Sequence, residues 1–155
     1  MAEIIRFFPM EITYRIVDGK AIINIYGKNQ QGEQICVIDR NFEPYFYVIL
    51  KSISDVEEKL KKVRIEDENG AAFVEKTEKA QKKLLGKEVL ALKVFTNLPG
   101  SVPKIRDAIK GWDLIESTHE FDIQFVRRYL IDKNITLFTL YECEGSFVSG
   151  SKSRV

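Results

Sequence analysis

EITYRIVDGKAIINIYGKNQQGEQICVIDR, residues 11–40, decides the fold class. β-Branched and aromatic residues alternate with polar ones along three runs, and a period of two marks a strand with one buried face. The runs break at Asp18-Gly19 and at Gln30-Gln31-Gly32. Asp-Gly tolerates the positive φ angles of a two-residue hairpin turn, so the stretch is predicted to be an antiparallel three-stranded meander. PYFYVIL follows at 44–50. Proline donates no ladder hydrogen bond, which puts Pro44 at a strand start or on an edge, and the apolar run after it predicts a largely buried strand.

Working outward, Ser54 and Glu57 have the spacing of a capping box ahead of Val56, Leu60 and Val63, which predicts a helix over 54–63. Two further strands are expected near 71–76 and 88–96, with the lysine-rich EKTEKAQKKLLGK (75–87) lying between them as a solvated face, a role in phosphate contact being the alternative. At 101–110, Ser101 is the expected cap of a second helix, Pro103 fits its first turn and Gly111 its left-handed stop. Its expected buried face is Val102, Ile105, Ala108 and Ile109. A third helix is expected within FDIQFVRRYLIDKN (121–134): Asp122 as cap, Ile123, Val126 and Leu130 as the stripe, Phe125 and Tyr129 beside it, Arg127 and Arg128 pointing elsewhere. The sum is an α+β domain, a mostly antiparallel sheet with about three short covering helices.

The 155 residues, 45% hydrophobic and 30% charged, suffice for one compact domain with a core. No apolar run approaches the length of a membrane span and no signal peptide is recognisable, which predicts a soluble, cytoplasmic protein. Cys36 and Cys143 lack metal-ligand spacing and read as reduced, half-buried residues. A net charge of +1 leaves any nucleic-acid affinity to local patches. His119 is the single histidine, and HEFD offers neither a nucleophile elbow nor a metal spacing. Phosphate-binding glycine motifs are absent too. The chain therefore reads as a binding module, with no catalytic residues, metal or cofactor expected.

Three separated segments, NFEPYFYVIL (41–50), NLPGSVPKIRDAI (97–109) and FDIQFVRRYLIDKNI (121–135), stand in an order and spacing that resemble the N-terminal domain of archaeal family-B DNA polymerases. The resemblance runs from about Glu11 to Ile135 and takes in KKLLGKEV at 82–89. It implies a template-uracil-sensing domain over 1–135, then a strand and linker over 136–155 leading to an exonuclease domain whose acidic metal-binding motif this sequence does not contain. Such a chain is a non-catalytic part of a DNA-directed DNA polymerase. The implied partners are single-stranded template DNA, uracil-containing DNA, and the exonuclease and palm domains; captured uracil stalls synthesis. Carried over by motif, the uracil pocket comprises Tyr14, Pro44, Tyr45, Pro99, Val102, Ile123, Phe125 and Arg128, with Arg127 and Arg128 on the DNA backbone. Gln124 departs from the pattern, since many relatives carry proline there.

Physical chemistry suits that task. Uracil lacks only the C5 methyl of thymine, and apolar affinity alone separates the two by about 1–3 kcal/mol, so rejection must be steric. A stiff wall of proline and valine serves, because forcing a methyl into a packed site costs roughly another 1–3 kcal/mol. Cytosine has the same size but reversed hydrogen bonding, so backbone groups fixed in a turn would go unpaired against it, at about 1–3 kcal/mol each. Turning the base out costs least on a single strand. Tyr45 or Phe125 offers a packing surface, and Arg128 a phosphate contact. Two other readings stand beside this one: an RNA-binding or regulatory module, and a structural platform. In the latter Tyr14, Val102, Ile123 and Phe125 are ordinary core, and Arg127 and Arg128 pair with Glu120, Asp122 or Asp132.

Overall fold

A computed structural model describes residues 3–52, 55–68 and 70–146. In chain order the elements are β1 (Glu3–Val17), β2 (Lys20–Lys28), β3 (Gln34–Asp39), β4 (Tyr45–Leu50), α1 (Val56–Lys61), β5 (Arg64–Asp67), β6 (Gly70–Leu84), β7 (Lys87–Thr96), α2 (Ser101–Ile109), β8 (Ile115–His119), α3 (Phe125–Asp132) and β9 (Tyr141–Gly145). They form two compact units, Met1–Phe42 with Phe125–Val155, and Glu43–Gln124. The reason is that each sheet gathers its own buried cluster. The α+β class stands: two antiparallel sheets and three helices.

The first unit is the predicted meander with one addition, strand order β3-β2-β1-β9. Asp18 and Gly19 take φ angles of 52° and 77° at the β1–β2 turn, the handedness that matches strand twist. At the next turn the Asn29 side-chain oxygen accepts from the N–H groups of Gln31 and Glu33, and Gly32 lies at φ 83°. β1 begins earlier than the sequence pattern indicated. A bulge between Pro9 and Glu11 splits it, Pro9 being tolerated where the ladder is interrupted, and Glu3–Phe7 pair with β9. The Pro9 carbonyl accepts the Phe138 N–H at 2.7 Å. Across from Pro9 only glycine fits at Gly27, whose added Cβ would collide with the Phe8 carbonyl. The strand expected after residue 135 is β9; the serine- and glycine-rich 147–155 lie outside the described residues.

In this unit α3 departs from expectation. It starts at Phe125, so Asp122 is not its cap, and the buried residues are Phe125, Arg128 and Tyr129. Val126 and Leu130 are half-buried, and Ile123 precedes the helix. Positions i, i+3 and i+4 share a face. Two aromatic rings bury more area there than the aliphatic stripe would, and the arginine stem packs along with them. Arg128 thus lies inward, while Arg127 alone is exposed.

The second unit is a five-stranded sheet, β5-β6-β7-β4-β8, with α1 and α2 on the face where Phe46, Val48, Leu92 and Val94 meet Val56, Leu60, Ile105 and Ile109. Pro44 sits just ahead of the central β4, where its missing N–H does no harm. The lysine-rich segment is not a connection but the continuation of β6, which runs to Leu84 and turns at Leu85-Gly86 into β7. Alternation of lysine with shorter residues satisfies a strand with one wet face. Ser54 lies outside the described residues; α1 is capped at Asp55 without a side-chain bond, and Glu57 instead accepts from the Thr77 hydroxyl at 2.8 Å. In α2 the cap position is Gly100 and Ser101 is itself helical and buried. Ala108 is exposed, and Gly111 is not in the left-handed region, because the helix ends through a right-handed Lys110.

Candidate nucleic-acid interface

In the first unit the residues singled out fall on an aromatic cluster. Tyr14, exposed in the last third of β1, meets Phe125 edge to face at a centroid distance of 5.1 Å. Phe42 continues the cluster, 5.5 Å from Phe125 and 4.9 Å from Tyr129. The Tyr129 hydroxyl donates to Asp39 Oδ2 at 2.7 Å, tying α3 to the end of β3. Arg128, 7% exposed, places Nη1 3.4 Å from Asp132 Oδ1 one turn on. The pairing and burial restrict the guanidinium, so little side-chain entropy remains to be lost there.

Phe42, Tyr129 and Asp39 escaped the sequence reading as a group. They come from distant segments with no fixed spacing, and only the polar end of an otherwise apolar helix stripe hinted at a partner for Tyr129.

Burial of the Tyr129 hydroxyl, and then its bond to Asp39, raise its pKa well above the ordinary tyrosine value. Desolvation raises Tyr141 and Cys143 likewise. Folding therefore favours the protonated forms. Their contribution is complete at neutral pH and is lost as pH climbs past the ordinary values, 9.0 for cysteine and 10.0 for tyrosine. We expect Tyr129→Phe to lower stability at pH 7 by about 1–2 kcal/mol, the loss of one hydrogen bond to a charged acceptor that water partly replaces. It should also flatten the alkaline decline by up to about 1.4 kcal/mol per pH unit, one proton's worth. Urea unfolding at several pH values reads both; an unchanged alkaline slope would exclude Tyr129 as the titrating group.

The second unit carries the remaining residues. Pro44 is buried, and its carbonyl accepts the Thr96 N–H at 3.0 Å. Thr96, 1% exposed, donates its hydroxyl to the Leu98 carbonyl at 2.9 Å. One residue that the sequence did not point to thus joins the start of the PYFY strand to the NLPG turn. That turn is further fixed by Ser101 N–H to Leu98 O at 3.0 Å and Val102 N–H to Pro99 O at 3.2 Å. Asn97 anchors its base by accepting from the Phe73 N–H and donating to the Ala71 carbonyl. Pro99 is half-buried, as is Ile123; Gln124 is exposed. Val102, 7% exposed, belongs to the unit's core alongside Ile105. Tyr45 is buried beside Phe95 at 5.6 Å, with Lys93 Nζ 4.1 Å from its ring centroid.

No cluster of metal-ligating residues occurs among the described residues, and none of their helices is long and apolar enough to cross a membrane. His119 is half-buried against the Ser117 hydroxyl at 2.7 Å. Cys36 and Cys143 are free and half-buried.

No protein-family model matches the chain. A DNA polymerase of Thermococcus kodakarensis is 41% identical over 126 residues, covering 81% of this chain and 7% of that protein. The DNA polymerase of Thermococcus gorgonarius is 40% identical over 126 residues, 81% of this chain and 16% of its own length. That of Pyrococcus horikoshii is 38% identical over 127 residues, 82% and 10% of the two lengths. Among solved structures, the family B DNA polymerase from the hyperthermophilic archaeon Pyrobaculum calidifontis matches with a TM-score of 0.75 at 30% identity, over 86% of this chain and 17% of that one. Fold and relatives together define a DNA-polymerase-associated domain. More particularly, the chain is homologous to archaeal family-B DNA polymerases and fits an N-terminal piece of them. It spans 7% to 16% of the lengths of the relatives named.

Proposed function

We propose that this chain is a non-catalytic, single-stranded-DNA-binding domain that reads template strands for uracil and stalls synthesis in a DNA polymerase. The observation that carries the reading is the Thr96 link. Through it the backbone at Pro44 and the Leu98–Val102 turn, two of the three resembling segments, are tied together by hydrogen bonds, which supports a wall against which an intruding methyl group is costly. The proposed pocket residues are Tyr14, Pro44, Tyr45, Pro99, Val102, Ile123, Phe125 and Arg128, with Arg127 as an exposed phosphate contact. Uracil is accepted through backbone donors and acceptors, thymine is refused by volume, and cytosine by unpaired backbone groups.

Burial of Val102 in the core favours a second reading, in which the same residues only build a platform for neighbouring polymerase domains. Binding to matched single-stranded oligonucleotides bearing one uracil or one thymine, at two salt concentrations, separates the readings. Uracil reading requires a clear preference, of roughly ten-fold or more for the methyl difference. Equal binding of both strands, or of neither, would leave the platform.

A further inference from the structure

The sheet of the second unit has a face turned away from α1 and α2. Its registers align Tyr45 with Phe95 and Lys76, and Tyr47 with Lys93 and Glu78. On that face Lys82 Nζ lies 3.8 Å from the Tyr47 centroid and Lys76 Nζ 4.7 Å from that of Phe95. Lys93 Nζ is shared by Tyr45 at 4.1 Å and Phe95 at 5.2 Å. Three ammonium groups gather over rings on adjoining strands, and Tyr47 is the ring among them that is only half-buried; a single-stranded nucleic acid needs such cations for its phosphates and such a π-face for a base.

We propose that this face is a second subsite, which holds nucleotides neighbouring the one whose base is read at the pocket. It rests on the reading above in taking single-stranded DNA as the occupant. Tyr45, already assigned to the pocket, stands at one end of the row, and Tyr47, Lys82 and Lys93 extend it along β4, β6 and β7. Each lysine now lies on a ring; when a strand arrives, the ammonium moves to a phosphate and a base takes its place on Tyr47, which is half-buried. Glu43 and Glu120 hold Lys76 and Lys82 at 3.1 and 3.3 Å in the meantime. Both ion pairs are a third or more exposed, and such pairs are readily exchanged. Lys93 has no ion pair among the described residues, so its release breaks only its contacts with the Tyr45 and Phe95 rings.

The test uses thymine-only and single-uracil oligonucleotides across a salt series. In the double variant Lys82→Gln, Lys93→Gln the slope of log affinity against log salt should fall by about 1.4, at about 0.7 per phosphate contact on single strands. Tyr47→Leu should weaken both oligonucleotides roughly ten-fold. Lys93 and Tyr47 both touch Tyr45, so the pocket-neutral control is Lys82→Gln alone, the Lys82 ammonium lying on Tyr47: the slope should fall by about 0.7 while the uracil-to-thymine ratio holds. Photocrosslinking of a bromodeoxyuridine strand to the unmodified protein gives an answer independent of folding, since the C5 bromine is refused by the pocket as a methyl is. An adduct at Tyr47 supports the subsite. Unchanged slope and affinity with no adduct at Tyr47 overturn it and leave the pocket reading standing. Reduced slope with an adduct, but no uracil preference, overturns the pocket and leaves the subsite. Tighter binding of a matched RNA strand than of DNA, lost in the same variants, rejects DNA as the occupant.

Discussion

Val102→Gln should bring the uracil-to-thymine binding ratio close to one, a loss of roughly ten- to hundred-fold in selectivity. Val102 is the second residue of α2, just after the Leu98-Pro99-Gly100 turn, and the longer side chain must occupy either the core or the space at that turn. Since Val102 is 7% exposed and packs in the unit's core, the change is not silent for folding. A buried amide without partners costs about 1–3 kcal/mol. Lost selectivity and lost stability are therefore separated by Val102→Thr, which keeps the volume and buries a hydroxyl. The threonine variant should unfold at lower denaturant and still prefer uracil; the glutamine variant should lose the preference. Full discrimination by Val102→Gln would remove Val102 from the pocket, and equal loss in Val102→Thr would make its effect one of stability alone.

The meander was legible because its determinants are local: an Asp-Gly turn and a period of two need no tertiary information. PYFYVIL was legible as a buried strand for the same reason. The lysine-rich segment misled because charge reads as solvation, whereas in β6 the lysines are solvated and hydrogen-bonded in a ladder at once. The helix ends were misplaced where a plausible cap residue stood near, at Ser101 and Asp122, yet the backbone turned elsewhere. Of the candidate site, the residue types came from family motifs. The ties that fix them did not: Thr96 bonding both Pro44 and Leu98, and Tyr129 bonding Asp39, join segments far apart in sequence. Nor does periodicity place an arginine inward. Arg128 is buried because its stem shares a face with two aromatic rings, and charge alone argued the opposite.

Arg128→Ala should consequently act twice. Stability should fall by about 2 kcal/mol, below the 3–5 kcal/mol for breaking a fully buried pair, because Asp132 is partly exposed and 3.4 Å away. Affinity for uracil-bearing and thymine-bearing strands should fall together, and the salt slope should shrink by about 0.7 if the guanidinium meets one phosphate. Arg127→Ala is the companion measurement, since Arg127 is exposed and its removal leaves the α3 packing untouched. Arg128→Lys supplies the other: it keeps a charge but not a planar fork, so a point contact to phosphate survives and a bidentate one does not. Weakening of both strands in Arg128→Ala, rescued in Arg128→Lys, identifies a charge contact. A stability loss with affinity unchanged in the folded protein would assign Arg128 to holding α3, and would leave Arg127 as the backbone contact of that helix. Loss of selectivity alone, with ordinary strands bound as before, would place the guanidinium on the base instead of the phosphate.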